Sequence, residues 1–74
     1  MDLSSVEAFV RVAEAKSFTE AARTVGLTSS GVSRAVSRLE AKTGVVLLNR
    51  TTRGVGLTAE GAAFFERCRG ILRT

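Results

Sequence analysis

The residues best suited to chemistry in this chain are hydroxyls and guanidiniums that recur between positions 28 and 44, in the stretch TSSGVSRAVSRLEAKTG. On a helix, at about 100° per residue, the apolar side chains of this stretch form one narrow stripe and the polar ones lie opposite. Serine is a mediocre helix former, so its repeated use indicates a purpose other than helix stability. Small hydroxyls allow close approach to a surface, and guanidiniums bind phosphates or base edges. We therefore predict that this polar face contacts a polyanion. The polar face consists of Ser29, Ser30, Ser33, Arg34, Ser37 and Arg38.

The distribution of charge supports the same interpretation. The chain has a net charge of +4 and a pI of about 10.7. Residues 1–22 contain four acidic and two basic side chains, whereas residues 23–58 contain six basic side chains and only one acidic side chain, Glu40. A cationic middle segment is the electrostatic pattern expected of a nucleic-acid surface.

Length and composition exclude several other classes of protein. With 74 residues the chain forms at most one small domain. It has no histidine, which excludes a Ser-His-Asp triad and most zinc sites, so we expect no enzyme, metal or cofactor. It has no Tyr or Trp, so an RNA-stacking platform is not expected. It lacks a long apolar run and a signal-peptide pattern, and its single cysteine fits the reducing cytoplasm.

Capping signals divide the first half of the chain into helices. Ser4 with Glu7 three residues later predicts the start of a helix that ends near Lys16. Ser17 with Glu20 predicts a second, short helix. A glycine at position 26 stops it, and Thr28 or Ser29 then caps the third helix, which ends at a glycine at position 44. The core-facing side chains of the third helix are predicted to be Val32, Ala35, Val36 and Leu39.

The second half of the chain reads as a hairpin and a last helix. VVLLNR and GVGLT are β-favouring runs joined by TTRG, and Thr58 caps the helix that follows. The predicted fold class is therefore mainly α: a winged helix-turn-helix with a three-helix core, a two-stranded β-hairpin wing and a C-terminal helix. We assign residues 1–58 to the winged domain, with the helix-turn-helix at about 18–37 and the wing at about 46–57, and residues 59–74 to the start of a linker or dimerisation helix.

The segment from FVRVAEAKSFTEAA to LTAEG resembles the N-terminal domain of LysR-type bacterial transcriptional regulators. The resemblance covers nearly the whole chain. It is carried by Ser17-Phe18-Thr19, Ala21-Ala22, Val32-Ser33-Arg34, Leu39-Glu40, Arg50-Thr51, and Arg53 before Leu57-Thr58.

The resemblance implies a function for each part. It implies that the third helix enters the major groove of double-stranded DNA, that the wing reaches the adjacent minor groove or backbone, and that the helix after the wing pairs subunits in a homodimer. It also implies that the chain is a fragment of a longer protein whose C-terminal domain binds a small-molecule inducer.

Three residues depart from the family pattern. Ser29 stands where glutamine is frequent, and a serine reaches less far toward a base. Gly31 stands where alanine is usual and should destabilise the helix by about 0.5–1 kcal/mol. Lys16 stands where glycine is frequent.

The predicted DNA-contacting residues are the polar face together with residues of the wing and of the second helix start. The added residues are Arg50, Arg53, Ser17 and Thr19. Capping is an alternative role for the hydroxyls at helix starts, and Arg50 is equally suited to brace the wing against the third helix. Arg53, near the hairpin tip, is predicted to enter a narrow minor groove.

The last helix carries an apolar stripe that a chain this small cannot bury completely. Part of it is therefore predicted to form a homodimer interface. The predicted interface residues are Phe64, Phe65, Cys68, Ile71 and Leu72. The alternative function for the whole chain is a winged-helix module whose basic face binds an acidic protein.

Overall fold

The computed structural model describes residues 3–51 and 54–72, without the side chains of residues 71 and 72. Four helices and one hairpin follow in the predicted order, so the winged helix-turn-helix fold is confirmed. The elements are α1 (Leu3–Ala15), α2 (Phe18–Val25), α3 (Ser29–Thr43), β1 (Leu48–Thr51), β2 (Gly54–Leu57) and α4 (Ala59–Leu72).

Helix α1 is the centre of the core, because it packs against α2, α3 and α4. Phe9 is fully buried, and its ring lies 5.6 Å from that of Phe64 and 6.4 Å from that of Phe65, measured between centroids. Phe18 is only partly buried and packs against this cluster. The apolar stripe of α3 is buried as predicted, in Val32, Ala35, Val36 and Leu39.

Helix α1 begins earlier than predicted, and the residue after its C-terminal end has a strained backbone conformation. The helix begins at Leu3, so Ser4 lies within its first turn and does not cap it. At the other end the helix stops at Ala15, and Lys16 adopts a φ of 55°, the only positive φ of a non-glycine residue in the described part of the chain. This left-handed conformation brings Cβ close to the backbone and costs about 1–2 kcal/mol in an L-residue. The position where the family favours glycine is therefore one where glycine has a conformational advantage.

The caps of α2 and α3 set the geometry of the helix-turn-helix. Ser17 Oγ accepts a hydrogen bond from the Glu20 N–H at 3.2 Å, and Gly26 ends α2 with a φ of 74°. Thr28, rather than Ser29, caps α3, because its Oγ1 accepts from the Gly31 N–H at 3.0 Å. The hydroxyl of Ser29 is consequently free of the capping role.

The wing is a two-stranded antiparallel hairpin in which Leu48 pairs with Leu57 and Thr51 with Gly54. It is shorter than predicted, since Val45 and Val46 precede β1 and are 38% and 60% exposed. The backbone leaves the strand pattern there because the N–H groups of the next two residues, 47 and 48, donate to the carboxylate of Glu40 at 2.8 and 3.2 Å.

The backbone N–H and carbonyl of Leu47 connect α3, the wing and α4. Its N–H is held by Glu40, and its carbonyl accepts from the Thr58 N–H at 3.1 Å. Thr58 Oγ1 donates to the Val46 carbonyl at 2.6 Å and accepts from the Gly61 N–H at 2.9 Å, which confirms Thr58 as the cap of α4. A Cβ on Gly61 would overlap the carbonyl oxygen of Leu47, so only glycine allows this close approach.

Candidate nucleic-acid interface

The polar face of α3 is open to solvent along its length. Arg34, Ser37 and Arg38 are exposed, Ser29 and Ser30 are exposed at the helix start, and Ser33 is half-buried. The buried stripe lies on the opposite side, so the two faces separate as the helical pattern predicts. Nothing in the described part of the chain covers the arginines of this face.

Arg34 and Arg38 of the polar face differ in their pairing from three arginines of the other helices. Neither Arg34 nor Arg38 has an ion-pair or hydrogen-bond partner among the described residues. Three other arginines are each paired with a glutamate three or four residues away on the same helix. These pairs are Arg11 with Glu7 and Glu14, Arg23 with Glu20, and Arg69 with Glu66. Two exposed guanidiniums on one face without such partners keep their charge and their donors available to an external anion.

Hydroxyls at the starts of α2 and α3 lie beside this face. The Oγ1 of Thr19 and the Oγ of Ser29 are 3.3 Å apart and hydrogen-bonded, with both residues exposed. Ser17 is half-buried and its oxygen caps α2, so the capping role predicted as an alternative is present. The N-terminal ends of the two helices therefore present hydroxyls and backbone donors side by side, where the helix dipoles favour an anion.

Arg50 is engaged within the domain. It lies on β1, and its Nη1 donates to Ser33 Oγ at 2.8 Å. Its Cζ lies 4.6 Å from the centroid of the Phe18 ring, at the first residue of α2. The bracing role that the sequence left open is thus present in this geometry.

The remaining predicted site residues lie on the hairpin turn and on α4. Arg53 lies outside the described residues, and Ile71 and Leu72 belong to α4 without described side chains. Phe64 and Phe65 are half-buried against the core and keep part of their surface open.

Cys68 requires a correction, because the structure does not leave it available as an interface residue. It is 2% exposed and belongs to the core cluster. Burial also raises the pKa of its thiol, since the charged thiolate loses hydration there. The i, i+4 spacing from Phe64 placed it on the correct stripe but did not indicate which part of that stripe faces inward.

Two further features bear on function. Within residues 3–51 and 54–72, no group of three or more metal-ligating side chains comes together. None of the helices in this part of the chain is long and apolar enough to cross a membrane.

Residues 3–62 match the family model described as the bacterial regulatory helix-turn-helix protein, lysR family. The chain belongs to the LysR family. Among relatives of this LysR-type chain, the regulator CrgA of Neisseria meningitidis is 54% identical over 65 residues, covering 88% of the chain and 22% of CrgA. A transcriptional repressor of Pseudomonas aeruginosa is 48% identical over 71 residues, covering 96% of the chain and 22% of the repressor. The LysR-type chain thus spans about a fifth of the length of these relatives.

Solved structures of LysR-type DNA-binding domains have the same fold. The CbnR DNA-binding domain in complex with DNA is 41% identical, with a TM-score of 0.92 over 99% of this chain and 84% of that one. The BenM DNA-binding domain in complex with benA site 1 DNA is 36% identical, with a TM-score of 0.93 over 99% of this chain and 82% of that one. The LysR-type chain is therefore a DNA-binding domain with a winged helix-turn-helix fold.

Proposed function

We propose that this domain recognises double-stranded DNA with α3 in the major groove and the wing at the adjacent minor groove. The observation that carries the proposal is the polar face of α3, where Arg34 and Arg38 are exposed and have no acidic partner among the described residues. An arginine fork in the major groove can bind a guanine edge, and an arginine against the backbone neutralises a phosphate.

The serine and threonine hydroxyls contribute in two ways, some by binding phosphates that position the domain on DNA and others by reaching base edges. Ser17, Thr19, Ser29 and Ser30 stand near two helix starts, where hydroxyl and backbone donors suit a phosphate. Ser33 and Ser37 lie further along the polar face and reach phosphates or base edges. Short serine side chains allow α3 to lie deep in the groove, so that sequence readout falls mainly on the arginines.

We propose that the wing contacts the minor groove and that α4 pairs two subunits. Arg53 enters the minor groove, whose negative potential is strongest where A·T-rich sequence narrows it. The surface of α4 that carries Phe64, Phe65, Ile71 and Leu72 pairs two subunits, so that two copies of α3 face a two-fold symmetric site. The full-length protein regulates transcription, and a further domain binds its small-molecule inducer. The similarity to named regulators that are several times longer supports this extension.

Fluorescence anisotropy with labelled duplex DNA tests the proposal. The 74-residue chain is titrated into a random-sequence duplex at several salt concentrations. We expect binding at low salt whose association constant falls steeply as salt rises, because each neutralised phosphate contributes a log–log slope of about −0.9. Absence of salt-dependent binding, with retention of an acidic protein partner instead, would support the protein-interaction module.

Two double variants provide a matched comparison. Arg34→Ala/Arg38→Ala removes two exposed charges from the polar face, and Arg11→Ala/Arg23→Ala removes two from α1 and α2, where both are paired with glutamates. The first variant should weaken binding and flatten the salt slope, whereas the second should leave both nearly unchanged. Equal losses in the two variants would contradict the assignment of the interface to α3.

A further inference from the structure

The guanidinium of Arg50 connects three elements of the domain. Its backbone lies in β1, opposite Val55 of β2. One edge of the group donates to Ser33 on α3 at 2.8 Å, and its centre lies 4.6 Å from the centroid of the Phe18 ring at the start of α2. A single side chain of the wing therefore contacts both helices of the helix-turn-helix.

These contacts use the properties that distinguish arginine from lysine. The planar guanidinium can lie over an aromatic ring and still donate from its edge, whereas an ammonium concentrates its charge and its donors at one point. Phe18 is partly buried at this place, so its ring is fixed by the core on one side. The wing is a two-stranded hairpin, which is marginally stable alone, and such a contact limits how it can tilt relative to α3.

The same contact determines how Ser33 can act. A hydroxyl has one proton to donate and two lone pairs that accept. Since Ser33 Oγ already accepts from a cation, its own proton points away from that cation. Ser33 therefore offers a donor to an incoming partner, which suits a phosphate oxygen or a base acceptor such as guanine N7 or O6.

We infer that Arg50 is a positioning residue of the DNA interface, which acts by fixing the wing against α2 and α3 and by orienting Ser33 as a donor, and not by binding DNA itself. This inference rests on the proposed function. It separates Arg50 from Arg34 and Arg38, which have no contact of this kind with any residue that the structure describes.

The test measures affinity and salt dependence together. The probe is the tightest-binding duplex recovered from a random-sequence library by the 74-residue chain, with a scrambled duplex for comparison. Arg50→Ala and Arg50→Lys should each reduce affinity for the selected duplex by about tenfold, on the scale of coupling between contacting residues. Both should retain the wild-type salt slope and nearly the wild-type affinity for the scrambled duplex. Arg38→Ala, the matched control on the polar face, should reduce the slope by about one phosphate contact.

A double-variant cycle with Ser33→Ala isolates the second part of the inference. If Arg50 acts through Ser33, the affinity loss in Ser33→Ala/Arg50→Ala is clearly smaller than the product of the two single losses. Circular-dichroism melting checks that each variant is folded, and Arg50→Lys and Ser33→Ala keep the test decisive if Arg50→Ala unfolds. Wild-type affinity in Arg50→Lys, a reduced slope in Arg50→Ala, or independent losses in the cycle would each overturn the role.

A measurement without DNA separates failure of this inference from failure of the proposed function. Stacking on Phe18 should shift the side-chain proton resonances of Arg50 upfield in the free domain, and Phe18→Leu should abolish that shift. Normal shifts overturn the brace itself. Failure of the wild-type chain to bind any duplex contradicts the DNA-binding proposal. If the wild type binds but Arg50→Ala reduces the salt slope, as loss of a phosphate contact would, only the positioning role is contradicted.

Discussion

At the scale of one residue, Arg34 is exposed and has no partner among the described residues, and we therefore expect it to bind DNA. It lies on the polar face of α3, close to the helix start, and has no acidic neighbour among the described residues. Arg34→Ala should weaken binding to the selected duplex by about 1–3 kcal/mol and relax its sequence preference if the guanidinium contacts a base edge. Anisotropy titrations against selected and scrambled duplexes measure both effects.

The control for this variant is Lys42→Ala, which removes an equal charge near the far end of α3. This variant should weaken binding to the selected and the scrambled duplex equally, so that the ratio of the two affinities stays unchanged. An unchanged ratio in Arg34→Ala as well would remove the base-reading role of Arg34.

Lys16 is a residue whose substitution should stabilise the domain. Its φ of 55° is disfavoured for a residue with a Cβ, and its side chain is exposed. Lys16→Gly should raise the free energy of unfolding by up to about 1 kcal/mol, since relief of strain outweighs the greater freedom of glycine in the unfolded chain. Urea denaturation measures the change. Lys42→Gly, within a helix, should destabilise instead, and a loss of stability in Lys16→Gly would contradict the strain.

Cys68 links burial to pH dependence. Desolvation raises the pKa of its thiol above the ordinary value of 9.0, so the folded state disfavours the thiolate. This stability contribution is present below the unfolded-state pKa and is lost as the pH rises toward the folded-state pKa. The domain should therefore become less stable above about pH 9, and Cys68→Ala should lose less stability over that range.

Thiol reactivity gives an independent readout of the same burial. At pH 8 the folded chain should react with a disulfide reagent far more slowly than the chain in urea, because the thiol is both protonated and covered. Comparable rates in the two conditions would show that Cys68 is accessible.

At the scale of the elements, α4 approaches the backbone of Leu47 so closely that position 61 accommodates only glycine. A side chain on Gly61 would overlap the Leu47 carbonyl, and backbone on both sides leaves no flexible group to yield. Gly61→Ala should destabilise the domain by about 1–3 kcal/mol or more, despite the higher helix propensity of alanine.

Thermal unfolding followed by circular dichroism measures the effect. Gly70→Ala is the matched control, because a Cβ there meets nothing within 4 Å and the residue lies in the same helix. The control should be neutral or stabilising. Equal stability of the two variants would contradict the close approach.

The helices and most of their ends were predictable because their signals are local. The caps Ser17, Thr28 and Thr58 act on N–H groups three residues away, and Gly26 and Gly44 end helices through a single left-handed φ. The buried stripe of α3 likewise follows from the 3.6-residue period. The start of α1 was misplaced by one or two residues, because Ser4 and Glu7 have capping-box spacing although the helix already includes Leu3.

The contacts between elements were not predictable because they join residues distant in sequence. Glu40 holds two backbone N–H groups seven and eight residues later, and Arg50 reaches a serine 17 residues earlier. The only sequence signal for the first was that Glu40 is the sole acidic side chain in the cationic segment 23–58. Gly61 gave no signal, since its role depends on how closely α4 packs against residue 47.

At the scale of the whole molecule, the proposed dimer depends on apolar side chains at the end of α4. Ile71→Ser/Leu72→Ser should shift the chain from dimer toward monomer, because it removes apolar area from the proposed pairing surface. Analytical ultracentrifugation over a range of concentrations measures the equilibrium. Arg67→Ala, an exposed change on the same helix, should leave it unchanged. An unaltered equilibrium in the double serine variant would place the pairing surface elsewhere.

The backbone of Leu47 constrains how two winged units can be arranged in a dimer. Its N–H donates to the Glu40 carboxylate and its carbonyl accepts from the Thr58 N–H, so α3 and α4 keep one mutual orientation. Each winged unit then behaves as a rigid body that includes α4. In a dimer built on α4, the spacing between the two operator half-sites would be set by how those helices cross, and adaptation to a different spacing would require a change at the crossing rather than a bend within either unit.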